Sequence, residues 1–266
     1  MVGLTLNDFY IGKRLARGKN GNVYLAKTKR FNYLVAIKAL DKKILIQNQM
    51  QLQLKREIEI HFKLCHVNII KAFDYFYDSQ RIYLVMEYAP KGELFNLLQK
   101  VGRFNDCTAS RIMAQVINAV RYFHRMNILH RDIKPENILI SYGGVIKLSD
   151  FGWSIQSDQV RRTLCGTIAY MAPEITQCLP YNRSVDLWCL GVLAYELLVG
   201  STPFYQNKFN FGIIENYDFQ VPSYVSPYAK VFIENLLRIE PGERMSLRNC
   251  QNHEWIKLYD KLDLLK

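Results

Sequence analysis

Short runs of β-branched and aromatic residues, separated by turn-forming residues, make up most of residues 9–88 and predict strands. One stretch there, residues 47–64, carries apolar side chains at every fourth position and predicts a helix. From residue 93 onward helical spacing dominates, most strongly over residues 109–123. Residues 187–199 are apolar on nearly every side, which predicts a buried central helix. Individual strands are predicted at residues 9–15, 23–27, 34–40, 69–76 and 82–87, and two more helices at 228–237 and 247–258.

The change from strand spacing to helical spacing divides the chain into two lobes. A small α+β lobe precedes a larger, mainly helical lobe, and Pro90 and Gly92 mark the short connection between them. Ligands bind preferentially in the cleft at such a junction. The predicted boundaries are residues 1–88 for the small lobe, 89–92 for the hinge, 93–256 for the large lobe and 257–266 for a short C-terminal tail.

The composition limits the broad class of the protein. Of 266 residues, 49% are hydrophobic and 22% are charged, a balance that excludes disorder for most of the chain. The net charge of +11 favours acidic partners in general, but the basic residues form no stripe with interleaved aromatic residues, so we expect no direct binding of nucleic acid. The apolar runs are shorter than the roughly 20 residues that a bilayer requires, so we also expect no membrane insertion.

Two glycines, Gly18 and Gly21, lie between the first two predicted strands in the segment ARGKNGNV. Glycine permits the close backbone approach that is needed to cover a phosphate group. A glycine-containing hairpin turn would explain the same pattern. The segment is neither a Walker A loop nor a dinucleotide-binding fingerprint, because it lacks a G-K-[ST] sequence and a strand follows it instead of a helix.

A lysine stands on the third predicted strand, where alternation places Ala36 and Lys38 on one face. A lysine on the core face of a central strand needs anionic partners to offset the cost of its burial. Glu57 lies on the same helical face as Met50 and Leu54, so we expect it to point inward and pair with Lys38. The alternative is an edge strand with Lys38 in water.

The segment HRDIKPEN at residues 130–137 carries the strongest chemical signal in the chain. Asp132 can accept a hydroxyl proton, Lys134 can neutralise a transferred phosphate, and Asn137 can ligate a magnesium ion. Asp150, in the sequence DFG, lies 18 residues after Asp132 and can bind the metal that bridges two phosphates. A polar loop without catalytic function is the alternative interpretation of the first segment.

The segment that begins at Asp150 ends in the sequence APE. Its carboxylate, Glu174, requires a buried cation if it faces the core. Arg244 is the candidate partner, and this contact would be structural.

With these motifs in order, residues 8–256 resemble one domain of the eukaryotic protein kinase superfamily. The resemblance implies a two-lobed kinase fold with ATP and Mg²⁺ in the cleft, Met86 as the gatekeeper, and Asn137 and Asp150 as the metal ligands. Ala16 replaces the first glycine of the usual loop, so we expect weaker packing around the phosphates. The residues implied at the nucleotide are Leu15, Gly18, Gly21, Val23, Ala36, Lys38, Glu57, Glu87, Ala89, Leu139 and Asp150, with ATP bonded to the backbone at Glu87 and Ala89.

A narrower resemblance rests on the sequence DFGWS at residues 150–154 and on RRTLCGT at residues 161–167. Both are similar to the activation segment of Aurora-type kinases. The resemblance implies a Ser/Thr protein kinase that regulates the mitotic spindle and chromosome segregation, located in the nucleus, on the spindle and at the centromere. The alternatives are another Arg-directed Ser/Thr kinase and a non-catalytic pseudokinase scaffold.

Thr163 is the expected regulatory phosphorylation site. A phosphate there adds about −1.5 to −2 charges and can bind several arginine side chains. Arg56, Arg131 and Arg162 are the expected partners. The alternative is an unmodified, exposed threonine.

The resemblance to the kinase family also predicts which residues recognise substrates and which partners bind. Glu93, Glu136 and Glu196 match places that recognise arginine upstream of the target Ser or Thr, through charge-assisted pairs. Glutamates on a helix surface without a substrate role are the alternative. We expect a monomeric catalytic domain and an activator segment that wraps the small lobe.

Overall fold

The β-rich part of the chain forms one antiparallel sheet in the computed structural model, which describes residues 3–18, 21–156, 167–204 and 217–261. The strand order is β1-β2-β3-β5-β4, so β3, which carries Lys38, is the central strand and not an edge. The strands are β1 (Phe9–Gly18), β2 (Gly21–Thr28), β3 (Leu34–Asp41), β4 (Ala72–Tyr77) and β5 (Arg81–Glu87).

The helical part of the small lobe differs from the prediction. The sequence predicted one helix in this lobe, at residues 47–64, but the lobe has two: α2 (Gln51–His61) lies within that range, and α1 (Lys42–Gln47) precedes it. Asp41 caps α1 by accepting bonds from two backbone amides, and Gln49 breaks the helical path with a left-handed φ of 54°. The Asp41 cap was a local signal that apolar spacing does not detect.

The large lobe is mainly helical, and α6 runs through its centre. Nearly all of α6 is buried, as predicted from its uniformly apolar sequence. The helix predicted at residues 247–258 is instead two helices, because the extended backbone at His253 separates them. The helices are α3 (Leu94–Val101), α4 (Asp106–His124), α5 (Pro173–Thr176), α6 (Ser184–Val199), α7 (Pro227–Leu236), α8 (Leu247–Asn252) and α9 (Glu254–Lys261).

Two short strand pairs lie between the lobes and present the chemical segments to the cleft. Strand β6 (Ile128–Leu129) pairs with β9 (Ile155–Gln156), and β7 (Ile138–Ile140) pairs with β8 (Ile146–Leu148). The HRD segment therefore follows β6, and the DFG segment follows β8. This arrangement confirms the predicted α+β, two-lobed fold. None of the helices in the described ranges has both the length and the apolar character needed to cross a bilayer.

Candidate active site

Lys38 and Glu57 meet where the sheet faces α2. The Lys38 Nζ atom lies 2.7 Å from Glu57 Oε1 and 3.6 Å from Asp150 Oδ1. Glu57 is buried on the inner face of α2, as the sequence predicted. The strand, the helix and the DFG segment thus contribute one cation and two carboxylates to the same point in the cleft.

The charges in this cluster stabilise one another. Burial lowers the pKa of Lys38, but the Glu57 and Asp150 carboxylates outweigh that effect and raise it overall. The Lys38 ammonium is in turn the main cause that lowers the pKa of Asp150. Lys38 is therefore cationic and Asp150 anionic at neutral pH, the states suited to phosphate binding and metal binding, respectively.

Asp132 is held by a set of hydrogen-bond donors. Its Oδ1 accepts bonds from the backbone N (3.1 Å) and the hydroxyl (2.9 Å) of Thr167, and its Oδ2 accepts from Asn137 Nδ2 at 2.8 Å. Lys134 Nζ lies 3.2 Å from Oδ2 and also donates to the Thr167 hydroxyl. The three residues predicted from the HRDIKPEN segment are thus brought together around one buried carboxylate.

The structure adds Thr167, to which the sequence analysis assigned no function. It links the end of the segment between DFG and APE to Asp132 and Lys134. The segment RRTLCGT ends at Thr167, but it does not reveal the contact, because the bond joins residues 35 positions apart. We infer that Thr167 orients the Asp132 carboxylate.

Asp186 in α6 is a second residue that the sequence analysis missed. It binds the backbone of the HRD segment. Its carboxylate accepts bonds from the backbone N of His130 (3.0 Å) and of Arg131 (2.8 Å), and from His124 Nε2 at 2.7 Å. Asp186 is fully buried, and its hydrogen bonds offset the cost of burial so that its pKa is lowered. A charged residue in the first turn of a mainly apolar helix was the available signal.

The glycine segment borders the same cavity as the Lys38 cluster. A cavity of about 430 Å³ is lined by Gly18, Gly21, Lys38, Glu57 and Asp150, among others. A Cβ atom at Gly21 would lie 2.0 Å from the Ala39 carbonyl oxygen, so glycine is required for the close approach of β2 and β3. A Cβ atom at Gly18 would lie 3.5 Å from its nearest neighbour, the Gly21 carbonyl oxygen, so this position has room for a side chain.

The residues expected around the adenine ring come from both lobes. Ala36 is paired with Met86 across β3 and β5. Glu87 is the last residue of β5, and Ala89 lies in the connection to the large lobe. Leu15 on β1 is exposed, Leu139 on β7 is half-buried, and Val23 on β2 is half-buried and also lines the cavity near Lys38.

The Glu87 side chain has a partner that the sequence did not predict. Its Oε1 lies 2.6 Å from Lys147 Nζ, on β8. Glu87 of the small lobe therefore forms an ion pair with Lys147 of the large lobe.

The three glutamates predicted to recognise substrate form one acidic cluster. Burial and the charge of Glu136 both raise the pKa of Glu93. Burial and the charge of Glu136 also raise the pKa of Glu196, although a hydrogen bond from Tyr170 opposes this shift. Glu196 is buried and accepts a hydrogen bond from the Tyr170 hydroxyl. Glu93 and Glu136 are partly exposed and remain the accessible members of the cluster.

The predicted regulatory site is only partly described. Thr163 and Arg162 lie outside the described residues. Arg131 has a left-handed φ of 69°, and its guanidinium donates to the Trp153 carbonyl and to the Tyr181 hydroxyl, both at 2.7 Å. Arg56 is exposed on α2 and lines a polar pocket together with Lys63 and β9.

The pairing predicted for the APE segment is confirmed. Arg244 makes two parallel bonds to the Glu174 carboxylate, of 2.6 and 2.7 Å, and both residues are buried. This pair fastens the end of the segment to the helical core of the large lobe.

Comparison with known proteins agrees with this geometry. The sequence profile of the protein kinase domain matches residues 9–256. Aurora kinase C of Mus musculus is 44% identical over 260 residues, which cover 97% of this chain and 94% of that protein. Aurora kinase of Schizosaccharomyces pombe is 46% identical over 255 residues, covering 94% of this chain and 72% of that protein. For Aurora kinase B of Danio rerio the identity is 42% over 257 residues, 96% of this chain and 80% of that protein.

The chain thus matches the kinase profile over most of its length and combines a lysine paired with a helix glutamate, an aspartate–lysine–asparagine loop and a DFG segment. The chain belongs to the protein kinase domain family and, within it, is a Ser/Thr protein kinase of the Aurora type.

Proposed function

We propose that the cleft transfers the γ-phosphate of ATP, held with Mg²⁺, to Ser or Thr hydroxyls in proteins that carry arginine upstream of the target. The observation that carries the proposal is the position of Asp132, which is hydrogen-bonded to Asn137 and Thr167 and lies beside Lys134. Lys134, beside this carboxylate, is also near enough to Asp150 of the Lys38–Glu57–Asp150 cluster for its charge to help lower the pKa of Asp150. Phosphoryl transfer depends mainly on positioning and charge stabilisation, and both are provided here.

Each residue of the loop has a separate role in the proposed reaction. The substrate hydroxyl attacks the γ-phosphorus, its proton passes to an Asp132 oxygen, and the bond to the departing ADP breaks. Lys134 offsets the negative charge on the transferred group. Lys38, held by Glu57, binds the remaining phosphates.

The proposed metal ligands fit a magnesium ion. Both donor bonds of the Asn137 amide, at 2.8 Å, are directed at Asp132, which leaves its oxygen as the atom to meet a cation. Asp150 supplies a half-exposed, ionised carboxylate. Oxygen donors of this kind suit Mg²⁺, which takes its remaining ligands from water and phosphate. When bound, the ion neutralises phosphate charge.

Arginine selectivity is proposed for the acidic cluster. Glu93 and Glu136 are close enough for the charge of one to raise the pKa of the other, so a guanidinium between them would relieve the repulsion. Glu196 already accepts the Tyr170 hydroxyl and would contribute mainly through its charge.

Regulation is proposed at two places. Phosphorylated Thr163 would bind Arg56, Arg131 and Arg162 and thereby order the segment that carries Thr167. An activator segment would occupy an apolar groove between the helices of the small lobe and strands β4 and β5. This α2–β4 groove is lined by Leu45, Ile46, Leu54, Ile58, Tyr75 and Ile82, among others.

A mitotic role at the spindle and centromere is proposed from the Aurora kinases to which the chain is similar. The proposed lobe boundaries are supported by the end of β5 at Glu87 and the start of α3 at Leu94. The last helix continues past residue 256 to Lys261, so the proposed tail begins within a helix.

The test is γ-phosphate transfer from Mg-ATP to a positional peptide library, with Asp150→Asn as the blank and the exposed Asp74→Asn as a matched control. We expect transfer that requires arginine two or three residues before Ser or Thr. Glu93→Gln should weaken that requirement and leave transfer to other peptides unchanged. Transfer without an arginine preference would remove the substrate assignment. The absence of transfer above the blank, with Thr163 phosphorylated and an activator supplied, would favour a scaffold.

A further inference from the structure

Lys147 is a buried lysine that the proposed phosphate chemistry does not use. It stands in the middle of β8, whose residues are all buried, and its Nζ atom lies 2.6 Å from Glu87 Oε1. The side chains of Lys147 and Glu87 are only 11% and 21% exposed. A pair that is this short and this shielded restricts the positions of both groups far more than a surface ion pair does.

The partner of Lys147 stands at the start of the hinge. Glu87 is the last residue of β5, and its second carboxylate oxygen accepts the Lys71 backbone N at 3.2 Å. The Glu87 backbone N donates to the Lys71 carbonyl at 2.9 Å. Side chain and backbone of Glu87 are therefore both held, and Lys147 supplies the contact that comes from the large lobe.

The other end of the hinge is held by the same strand pair. Lys91 N donates to the Ile140 carbonyl at 3.1 Å, and Ile140 N donates to the Gly92 carbonyl at 2.8 Å. Within this β7–β8 pair, Leu139, the proposed contact to the adenine ring, is the register partner of Lys147. One hairpin thus fastens the hinge at both ends.

We propose that Lys147 is a positioning residue, which sets the hinge backbone at Glu87 and Ala89 for the adenine base through its bond to the Glu87 carboxylate. The inference rests on the proposed function, because it assumes that adenine binds at this backbone. It assigns Lys147 to nucleotide recognition and not to phosphoryl transfer, since the bond is made at the hinge end of the cleft.

The first test is the Lys147→Met variant, with Lys147→Arg as the conservative rescue. Loss of a charge-assisted bond should raise the KM for ATP about tenfold and leave kcat within about twofold. Inhibition by adenosine should weaken by the same factor, whereas inhibition by tripolyphosphate should not change. Lys147→Arg should restore most of the affinity. Lys230→Met, which removes an exposed pair with Glu234 of 3.8 Å, is the matched control and should leave every constant unchanged.

The second test is a double-mutant cycle with Glu87→Gln, which keeps the acceptor for Lys71 but removes the charge. The two single variants should raise the KM for ATP by similar factors, and the double variant should add nothing further. If Lys147→Met fails to fold, as judged by its thermal unfolding, Glu87→Gln and Lys147→Arg carry the test alone.

Three results would overturn the inference while leaving the proposed function intact: an unchanged KM for ATP in Lys147→Met or Glu87→Gln, an equal loss of adenosine and tripolyphosphate binding, or additive effects in the cycle. Failure of the unmodified protein to transfer phosphate above the Asp150→Asn blank would instead remove the proposed function. The two failures are distinguished because the test of Lys147 compares the KM for ATP between variants that all transfer phosphate.

Discussion

The two lobes hold their chemical groups with different degrees of support. In the large lobe, Asp132 is 5% exposed, and the loop around it is bonded to the fully buried Asp186. In the small lobe, the Lys38 side chain is 23% exposed, and its two partners come from α2 and from across the cleft. The large-lobe group is fixed by its own core, whereas the small-lobe group is fixed by the meeting of three separate elements.

The hydrophobic cores differ in the same direction. One continuous cluster of buried residues fills the large lobe, includes Phe151 and extends into the small lobe through Ile60, Leu64 and Ile69. The small lobe has two separate clusters, one of which contains Phe9 and the other Leu54. Loss of the Arg244–Glu174 pair in the large lobe should therefore act mainly on folding, and loss of Lys38 in the small lobe mainly on activity.

The largest effect on stability is expected at the buried ion pair of the large lobe. Arg244→Leu should lower the free energy of unfolding by about 3–5 kcal/mol, because it leaves the Glu174 carboxylate buried without its partner. The double variant Arg244→Leu/Glu174→Leu should be clearly more stable than Arg244→Leu alone. Urea unfolding measures both values, and a double variant no more stable than the single one would contradict this account.

Lys38→Met should separate activity from stability in the small lobe. We expect phosphate transfer to fall by about 100-fold or more, because a cation directed at the phosphates is lost. The free energy of unfolding should change by less than in Arg244→Leu, since the Lys38 site is partly open to water. Lys100→Met, an exposed lysine on α3, is the control. Equal losses of stability in Lys38→Met and Arg244→Leu would erase the proposed contrast between the lobes.

The stability of the protein should depend on pH through His61, a buried histidine of the small lobe. Burial lowers the pKa of His61 to about 4, although its bond to the Ile70 carbonyl opposes this shift. Between its unfolded pKa of about 6.5 and that value, the unfolded chain binds the proton and the folded chain does not. Stability should therefore fall as the pH drops from 6.5 towards 4, by about 2 kcal/mol at pH 5 from this residue alone.

His61→Gln tests this assignment, because an amide can donate to the same carbonyl without titrating. Urea unfolding at pH 7 and pH 5 should show a smaller difference in the variant. Some difference should persist, because burial also lowers the pKa of His130. An unchanged difference would show that the proton is taken up elsewhere.

The smallest effect is expected at Thr167. Thr167→Ala removes a hydroxyl bond to Asp132, so kcat should fall by about tenfold. Thr167→Ser keeps that hydroxyl and should retain most of the rate. Steady-state kinetics at saturating ATP measures the difference, and equal rates in the two variants would show that the hydroxyl does not matter.

Helix α2 shows most clearly what a sequence pattern can and cannot predict. The spacing of Met50, Leu54, Ile58 and Phe62 predicted the buried face, yet of these four only Leu54 is buried. The face that is buried carries Leu54, Glu57, Ile60 and His61. The helix is turned so that Glu57 meets Lys38 and His61 meets Phe151, while Ile58 lines the α2–β4 groove. Apolar spacing measures where hydrophobic surface lies, but a polar pair at a lobe junction also determines how a helix is rotated.

Sequence alone determined the α+β class, the strands of the sheet, the buried α6 and the identity of the chemical groups, because periodicity and motif spacing are local properties. It also predicted the Lys38–Glu57 and Glu174–Arg244 pairs, since a buried charge demands a partner of opposite sign. Only the tertiary structure decided that Thr167 binds Asp132, that Asp186 supports the HRD backbone and that Lys147 reaches Glu87. These contacts join residues far apart along the chain, and their partners are selected by packing, which no local pattern records.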